Sequence, residues 1–180
     1  DPAARKLIAW YVFVRKDARA DFAEVTAFFR DNPHWPAMDH VARTADRSIT
    51  PKTRADLLLA WFADRLPETG EGMVDAYAAL KSQGKEKEGL DLLRRGWTRV
   101  RLTDHEEAEI LKRHGAELRS ADHAERIAHL VSLGQKRLAQ QLLKKVTLDK
   151  GDRATVEARL KLRDEALRGN PAAVEAAIAE

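Results

Sequence analysis

Cysteine is absent from the 180 residues of this chain. Its absence excludes disulfide bonds, cysteine-ligated zinc, iron–sulfur clusters and thiol nucleophiles. Glycine and proline are also scarce, at 9 and 6 residues, and a protein built from many short strands needs more turn-forming residues than these. An all-β fold is therefore disfavoured. No apolar run approaches the roughly 18 residues that a membrane span requires.

Net charge and catalytic motifs are equally sparse. The 32 Lys and Arg nearly balance the 29 Asp and Glu, and a net charge of +3 does not by itself indicate a nucleic-acid partner. None of the six histidines belongs to a His-Glu-x-x-His pair, and His123 and His129 fall on different faces of a helix. No Gly-rich phosphate loop and no Gly-x-Ser-x-Gly elbow occur. The sequence thus predicts no metal site, no cofactor and no nucleic-acid binding.

What the chain does contain is apolar residues at helical spacing. The hydrophobic share is 44%, and almost every segment has the 3.6-residue period of an amphipathic helix. This pattern predicts an all-α protein of about eleven helices, with antiparallel neighbours because the connections are short. The predicted helices run from about Ala3 to Lys16, from Asp21 to Asn32, from Pro36 through Ala45, from Thr50-Pro51 through Phe62, from Met73 to Gly84, from Leu90 to Trp97, from Asp104 to His114, from Ala121 to Leu133, from Gln135 to Val146, from Asp152 to Leu167, and briefly after Pro171.

Local signals refine the first four helices. Asp21 is expected to accept hydrogen bonds from the first-turn amides of the second helix, and Asn32-Pro33 to end that helix. Pro36 is predicted at the first position of the third helix, where proline is best tolerated. Thr50-Pro51 is predicted to open the fourth. The first helix has an apolar face formed by Leu7, Ile8, Tyr11 and Val14.

One internal repeat bears on the architecture. The pattern Ala78-x-Leu80-x-Ser82-x-Gly84 recurs fifty residues later, ending at Gly134. Each glycine is expected to adopt the left-handed conformation of a helix C-cap, and a small residue five positions later (Gly89 or Ala139) to let two helices approach closely. The repeat predicts hairpins stacked as a degenerate α-solenoid, a superhelix of antiparallel helix pairs within a single domain over residues 1–180. A compact bundle is the alternative.

A basic run is the main polar feature. It consists of Arg94, Arg95, Trp97, Arg99 and Arg101 at the end of a predicted helix. In one interpretation the cations offset the helix dipole and Trp97 packs in the core. In the other, the arginine forks and the aromatic ring bind an anionic polymer through carboxylates, phosphates or sugars.

The acidic residues Glu106, Glu107 and Glu109 form a second polar group, near the start of a helix. Paired carboxylates can cleave glycosidic bonds. Carboxylates at a helix N-terminus are also favoured by the helix dipole, and no apolar pocket that would raise a carboxyl pKa is evident nearby. The position therefore favours a structural role, and we predict no catalytic residue.

Several stretches resemble the helical superhelix of the soluble lytic murein transglycosylases. Residues 20–36 contain a helix of the form Phe-x-Glu-apolar-x-x-Phe-apolar, followed by Asn32-Pro-His-Trp-Pro36. Further similar stretches are Trp61-Phe-Ala with Leu66-Pro-Glu-Thr-Gly-Glu-Gly72, the hairpin from Ala79 to Trp97, His123-Ala-Glu-Arg-Ile127, and Glu157-Ala-Arg-Leu-Lys-Leu-Arg163. The similarity covers nearly the whole chain, and its most specific parts are Asn-Pro-x-Trp-Pro and the Pro-x-Thr-Gly-x-Gly loop.

The resemblance implies a periplasmic protein acting on peptidoglycan, with glycan strands and cell-wall proteins as partners. Such enzymes cleave between N-acetylmuramic acid and N-acetylglucosamine and leave a 1,6-anhydro end. Their catalytic Glu lies in a Glu-Ser-x-Phe type motif of a C-terminal lysozyme-like domain. This chain has no Glu-Ser pair and no Gly-Leu-Met-Gln type segment, so no catalytic residue carries over, and the similarity concerns only the curved scaffold that surrounds the glycan.

Two functions are therefore expected for the sequence. The first is a non-catalytic scaffold segment of a peptidoglycan-cleaving enzyme. The second is a free-standing adaptor resembling tetratricopeptide (TPR) proteins, which would bind a protein or peptide in a concave groove. Because the chain starts with Asp1-Pro2, without methionine or the apolar stretch of a signal peptide, we expect it to be a processed chain or a segment of a longer protein.

Overall fold

The structure is a computed structural model that describes residues 1–167. Within this range the chain forms ten α-helices and no strand, which confirms the all-α prediction. The helix predicted after Pro171 lies outside the described residues. The ten helices are α1 Pro2–Phe13, α2 Phe22–Asp31, α3 Met38–Arg47, α4 Ala55–Trp61, α5 Gly70–Ser82, α6 Glu86–Arg99, α7 Asp104–His114, α8 Ser120–Ser132, α9 Lys136–Lys145 and α10 Lys150–Leu167, with a 3-10 turn at Gly115–Glu117.

The chain divides into two compact units. The first comprises Asp1–Gly96 and Val100–Gly115, and the second comprises Trp97–Arg99 and the described residues from Ala116 onward. The first unit therefore contains α1 to α5, most of α6, and α7. The second contains α8, α9 and α10.

Helices in the first unit pack on a sequence neighbour, on the next helix but one, or on both. α1 packs on α3, α3 on α5, and α5 on α7, while α2 packs on α3 and α4 on α5. In the second unit α8 packs on both α9 and α10. Each unit thus consists of packed helix pairs.

α2 forms as its sequence predicts. The Asp21 carboxylate accepts the backbone N–H of Glu24 at 3.1 Å, and the helix stops at Asp31 with Asn32 as its C-cap. Asn32 donates its side-chain amide to the carbonyl of Phe28 at 2.8 Å, which covers a backbone group left open by the end of the helix. The inward face of α2 carries Phe22, Val25 and Phe28, all buried.

The start of α3 differs from the prediction. The helix begins at Met38, and its N-cap Ala37 is in the left-handed region with φ 56°. The carbonyl of Pro36 accepts the indole N–H of Trp10 at 2.9 Å, so it is already engaged by a residue 26 positions away. The first carbonyl within the helical pattern is that of Ala37, which accepts from His40 at 3.0 Å. Pro36 therefore precedes the helix instead of opening it.

The start of α4 also lies later than predicted. Thr50 and Thr53 close a turn on each other, because the N–H of Thr53 donates to the Thr50 carbonyl at 2.9 Å and the N–H of Thr50 donates to the Thr53 hydroxyl at 2.9 Å. Thr50-Pro51 is therefore a turn, and the helix begins at Ala55. The N–H of Ala55 donates to the side chain of Gln83, just beyond the end of α5, at 2.9 Å.

The predicted apolar face of α1 lies largely in solvent. Leu7, Ile8 and Tyr11 are 55%, 63% and 65% exposed. α1 packs on α3 through its opposite side, where Phe13 is buried and its carbonyl accepts the hydroxyl of Thr44 at 2.7 Å. The hydrophobic period identified an apolar face, but a different face of this helix enters the core.

The two repeated hairpins have the same geometry. Gly84 and Gly134 have φ of 74° and 78°, which confirms their left-handed conformation. After Gly84, the N–H of Lys85 donates to the Leu80 carbonyl at 2.9 Å; after Gly134, the N–H of Gln135 donates to the Leu130 carbonyl at 2.9 Å. This bond over five residues is the mark of a Schellman cap.

The small residue of the first hairpin fits close under α5, as predicted. A Cβ at Gly89 would lie 3.1 Å from the Tyr77 ring and 3.2 Å from the Leu80 Cβ. Later on α6, Gly96 lies against Met73, nearer the start of α5. Contacts that move backwards along α5 as α6 advances define an antiparallel pair. In the second hairpin Ala139 is fully buried.

The loop before α5 is fixed by a buried carboxylate. Asp46 of α3 is 1% exposed and accepts the backbone N–H groups of Glu68 and Thr69 at 2.6 and 3.1 Å. Thr69 then caps α5, accepting the N–H of Gly72 at 3.0 Å. Pro67, Glu68 and Thr69, part of the stretch that resembles the transglycosylases, are therefore held against α3. Capped by Thr69, α5 begins at Gly70, three residues before the predicted start at Met73.

Candidate functional site

The basic run occupies the last turns of α6 and the two residues just after the helix. Arg94 is half-buried, whereas Arg95 and Arg101 are exposed. Arg95 forms an ion pair with Asp91, one turn earlier on the same helix, at 2.8 Å. The Asp91 carboxylate therefore partly neutralises the charge of Arg95.

Arg99 is the last residue of α6 and forms an ion pair with Glu125 of α8 at 2.8 Å. Both side chains are about half exposed, at 52% each. Exposed ion pairs of this kind contribute about 0–1 kcal/mol, because water screens the charges. An external carboxylate or phosphate can therefore replace such a partner at little energetic cost.

Trp97 is buried, in contrast to the exposed Arg95, Arg99 and Arg101. It is 0% exposed, and the guanidinium of Arg126 lies over its ring with Cζ 4.6 Å from the centroid. Arg126 also donates to the Trp97 carbonyl at 2.6 Å, and the His123 ring meets the indole edge-on at 5.5 Å. The indole is covered by protein and presents no face to a sugar or base. The binding role of the four arginines stays a prediction.

Arg126 is the residue that sequence analysis missed in this cluster. It is 3% exposed, and its charge is accommodated by the aromatic face and by a backbone carbonyl. Arg126 follows His123 by three residues, so both lie on the same face of α8. The sequence shows the spacing of His123 and Arg126. It does not show the contact between Arg126 and Trp97, because these two residues are 29 positions apart.

Burial also affects the protonation of His123. It lowers the pKa of the imidazole, because the charged form loses its hydration. Its Nδ1 and the Trp97 Nε1 are buried without a hydrogen-bond partner among the described residues. We therefore expect His123 to be neutral at physiological pH and to serve packing in the second unit.

A groove of about 450 Å³ lies between α4 and α6 within the first unit. Its lining is apolar, and its rim carries charges of both signs. Arg95, a predicted binding residue, is one of the rim cations. The apolar lining includes Leu58, Leu59, Phe62, Leu80 and Leu92, and the rim includes Lys87, Glu88, Asp91 and Arg95.

A smaller pocket of about 260 Å³ lies between α5 and α7, also within the first unit. It brings together two of the three predicted carboxylates, Glu106 and Glu109, with two histidines. Apolar residues complete the pocket, and its lining includes Glu71, Val74, Asp75, His105, Glu106, Glu109, Ile110, Arg113 and His114.

The predicted carboxylates have structural partners. Glu106 forms a capping box with Thr103, accepting its N–H at 2.8 Å, and also accepts the N–H of Gly70 at 3.2 Å. Glu109 forms an ion pair with Arg113 at 3.0 Å. These contacts favour the structural interpretation of the acidic group, in which it begins and stabilises α7.

Asp75 contributes a further carboxyl group to this pocket. Burial raises its pKa, the negative charge of Glu71 raises it further, and Arg19 acts in the opposite direction. Glu71 itself forms an ion pair with Arg19 at 2.8 Å. The pocket can attract a cation, but its carboxylates are held by caps and ion pairs and form no recognisable catalytic pair.

Within the described part of the chain, no group of three or more His, Cys, Asp or Glu residues could hold a metal ion. None of the helices over residues 1–167 is both long and apolar enough to cross a membrane. Comparison of the chain with protein-family models, curated proteins and solved structures finds no match. The resemblance to the transglycosylases therefore rests on the sequence motifs alone.

Proposed function

We propose that this chain is a non-catalytic, superhelical scaffold segment of a periplasmic lytic transglycosylase that cleaves peptidoglycan. The parent enzyme would cut between N-acetylmuramic acid and N-acetylglucosamine and leave 1,6-anhydro ends. The chemistry would belong to a lysozyme-like domain, and this segment would form part of a curved wall beside the glycan strand.

The packing of alternate helices is the observation that carries this proposal. In the first unit α1, α3, α5 and α7 contact one another in succession, as every second helix does in a stack of helix pairs. The two hairpins with left-handed Gly84 and Gly134 supply the repeated unit. A compact bundle does not require such a repeat, whereas a superhelix is built from it.

Exposed arginines are the proposed contact with the cell wall. Peptidoglycan peptides carry carboxylates, and guanidinium groups bind carboxylates through paired hydrogen bonds. The ion pairs of Arg95 with Asp91 and of Arg99 with Glu125 are exposed, so exchanging either carboxylate for an external one costs little free energy. Arg94 and Arg101 extend the basic run on either side.

Retention on purified sacculi tests this contact. We expect the chain to co-sediment with sacculi and to dissociate as salt rises, because charges are screened over roughly 8 Å at physiological ionic strength. Replacing Arg94, Arg95 and Arg99 by Gln should reduce retention and leave the thermal midpoint nearly unchanged. The matched control removes three exposed cations elsewhere: Lys52→Gln, Lys150→Gln and Arg159→Gln.

The outcomes separate the roles of the run. Equal loss in both triple variants would mean that net charge alone causes retention. A loss of stability in the Arg94, Arg95 and Arg99 variant would mean that these arginines serve the helix end. Retention unaffected by salt and by all variants would overturn the proposed contact.

Absence of turnover is the second test. The purified chain should release no anhydro-muropeptides from sacculi, as measured by chromatography with mass detection. Turnover that disappears in Glu106→Gln or Glu109→Gln would contradict the scaffold assignment, because the pocket between α5 and α7 would then be catalytic.

The groove between α4 and α6 favours a second candidate function, a TPR-like adaptor that binds a peptide. An apolar lining with a charged rim is the usual form of a peptide-binding groove. Sacculi treated with protease to remove bound proteins distinguish the two functions. A scaffold that binds cell-wall polymer is retained on them, whereas an adaptor is not, and an adaptor's retention on untreated sacculi should fall with Leu59→Lys in the groove.

A further inference from the structure

α1 is apolar on two opposite faces, and only one of them is covered. Its inner side packs on α3. On its outer side Leu7, Ile8, Tyr11 and Val12 are 55%, 63%, 65% and 39% exposed. We call these four residues the α1 face. The other large hydrophobic residue exposed in the described part of the chain, Leu133, stands alone on the second unit.

The α1 face is continuous. At 100° per residue, its four side chains fall within a sector of about 140°. A helix of 12 residues is about 18 Å long. A helix with apolar residues on both sides is normally buried, and a clustered apolar patch on a protein surface marks a contact with another molecule.

Basic residues without ion-pair partners flank the α1 face in sequence; one of them, Lys6, lies about 20° from Phe13 around the helix and therefore away from this face. Arg5 and Lys6 precede it, and Arg15 and Lys16 follow it. All four side chains are exposed, and none forms an ion pair within the described part of the chain. Residues 2–16 contain no Asp or Glu.

The acidic residues nearest to the α1 face in sequence are Asp1 and Asp17. Asp1 caps α1, accepting the N–H of Ala3 at 2.9 Å. The charge of Asp17 acts on the guanidinium of Arg47. The stretch from Arg5 to Lys16, which contains the α1 face, therefore carries four cations and no carboxylate.

We propose that α1 docks this chain on the surface of an anionic lipid bilayer. The helix lies in the plane of the surface, the α1 face enters the boundary between headgroups and acyl chains, and the flanking cations Arg5, Arg15 and Lys16 contact lipid phosphates. Helices that bind in this way bury an apolar face at the boundary and carry Lys and Arg that are attracted to anionic lipids. Each Lys or Arg near an anionic surface adds to the attraction.

Charge also decides against a second copy of the chain as the occupant. Pairing two α1 faces would bring the basic residues that flank them in both copies together, whereas residues 2–16 of neither copy supply a carboxylate. An anionic lipid surface supplies both the apolar phase and the counter-charge. This inference concerns a different surface from the basic run and does not depend on the proposed scaffold function.

Flotation of the full chain with lipid vesicles tests the proposal. We expect binding to vesicles of phosphatidylcholine mixed with phosphatidylglycerol, and binding at least about tenfold weaker to phosphatidylcholine alone, from the contribution per cation. Raising the salt concentration should weaken the binding. Far-UV circular dichroism should show unchanged helix content in every variant, since the altered side chains are exposed.

Two pairs of matched variants locate the contact. Ile8→Gln with Tyr11→Gln removes apolar surface from the α1 face, and Leu133→Gln is the control for an exposed apolar residue elsewhere. Arg15→Gln with Lys16→Gln removes two cations beside the face, and Lys150→Gln with Arg159→Gln removes two from α10. We expect both α1 variants to lose roughly tenfold or more in affinity, and both controls to bind as the unmodified chain does.

Four outcomes would overturn the proposal. They are no binding to anionic vesicles, equal binding to neutral and anionic vesicles, equal losses in the variants and their controls, and a concentration-dependent dimer in sedimentation that Ile8→Gln abolishes. The last result would assign the α1 face to a second copy of the chain.

Discussion

Gly72 leaves the space that the side chain of Asp46 occupies. A Cβ built on Gly72 would lie 2.5 Å from the Cβ of Asp46 and 2.7 Å from its Cγ. Asp46 in turn holds the loop before α5 through the N–H groups of Glu68 and Thr69. Because Gly72 of α5 has no Cβ, the side chain of Asp46 on α3 can be buried beside it. Asp46 in turn positions the start of α5.

Gly72→Ala should therefore destabilise the first unit. Helix propensity alone favours Ala over Gly by about 1 kcal/mol, but overpacking costs about 1–3 kcal/mol. The clash involves the Cβ of Asp46, next to the backbone, which a rotamer change cannot move away. Urea unfolding followed by circular dichroism should show a lower midpoint. Gly115→Ala, where a Cβ meets nothing within 4 Å, is the control and should not lower the midpoint.

Stability should also depend on pH through Asp46. Burial raises the pKa of Asp46 from its ordinary 3.8 to about 7, outweighing the hydrogen bonds that lower it. Between these values the folded chain holds a proton that the unfolded chain releases. The contribution of Asp46 to the free energy of unfolding should therefore decrease as pH rises from about 4 to 7.

Asp46→Asn isolates this effect. The amide keeps an oxygen for the N–H groups of Glu68 and Thr69 but does not titrate. Relative to the unmodified chain, the variant should become progressively more stable as pH rises over this interval, because all other titrating groups contribute equally to both. Two parallel profiles would show that Asp46 does not take up a proton on folding.

The two hairpin glycines should respond alike to substitution. Gly84→Ala and Gly134→Ala force a side chain into the left-handed region, at a cost of about 1–2 kcal/mol each. Space is not the cause at Gly84, where a Cβ meets nothing within 4 Å, and at Gly134 it meets only the flexible end of Arg163. Gly84→Asn should cost less than Gly84→Ala, since Asn tolerates this conformation. Equal costs for Ala and Asn would contradict a purely conformational origin.

Two tryptophans should differ in their contribution to stability. Trp97 is fully buried, so Trp97→Ala should cost about 3–5 kcal/mol. Trp35, in the Asn-Pro-His-Trp-Pro segment, is half-buried and packs edge-on against Trp10 and Phe28, with centroids at 6.1 and 5.6 Å. Trp35→Ala should cost about half as much. Denaturant midpoints for the two variants give the comparison, and a larger loss at Trp35 would contradict it.

Local signals in the sequence were sufficient for most helices. The structure gives α7 the predicted bounds, Asp104–His114, because Thr103 and Glu106 form a capping box across its start. The conformations of Gly84 and Gly134 were equally predictable, since a single residue type at a helix end determines them. Each of these features depends on residues within one turn of one another.

Features that depend on distant residues were not predictable. Pro36 does not open α3, because Trp10 takes its carbonyl, and no local pattern records that contact. The apolar face of α1 was correctly identified as apolar, yet periodicity cannot tell which molecule covers it. In the basic run, the arginines and Trp97 are neighbours in sequence, but Arg126 covers the indole from 29 residues away.

The burial of Trp97 gives the second unit its own optical reporter. The sequence has four tryptophans; Trp10, Trp35 and Trp61 belong to the first unit, and Trp97 belongs to the second. In a variant that replaces the first three by Phe, all indole emission comes from Trp97, and its emission shifts to longer wavelength when water reaches the ring. Compared with circular dichroism of the whole chain, that signal reveals whether the two units unfold in one cooperative step or in two.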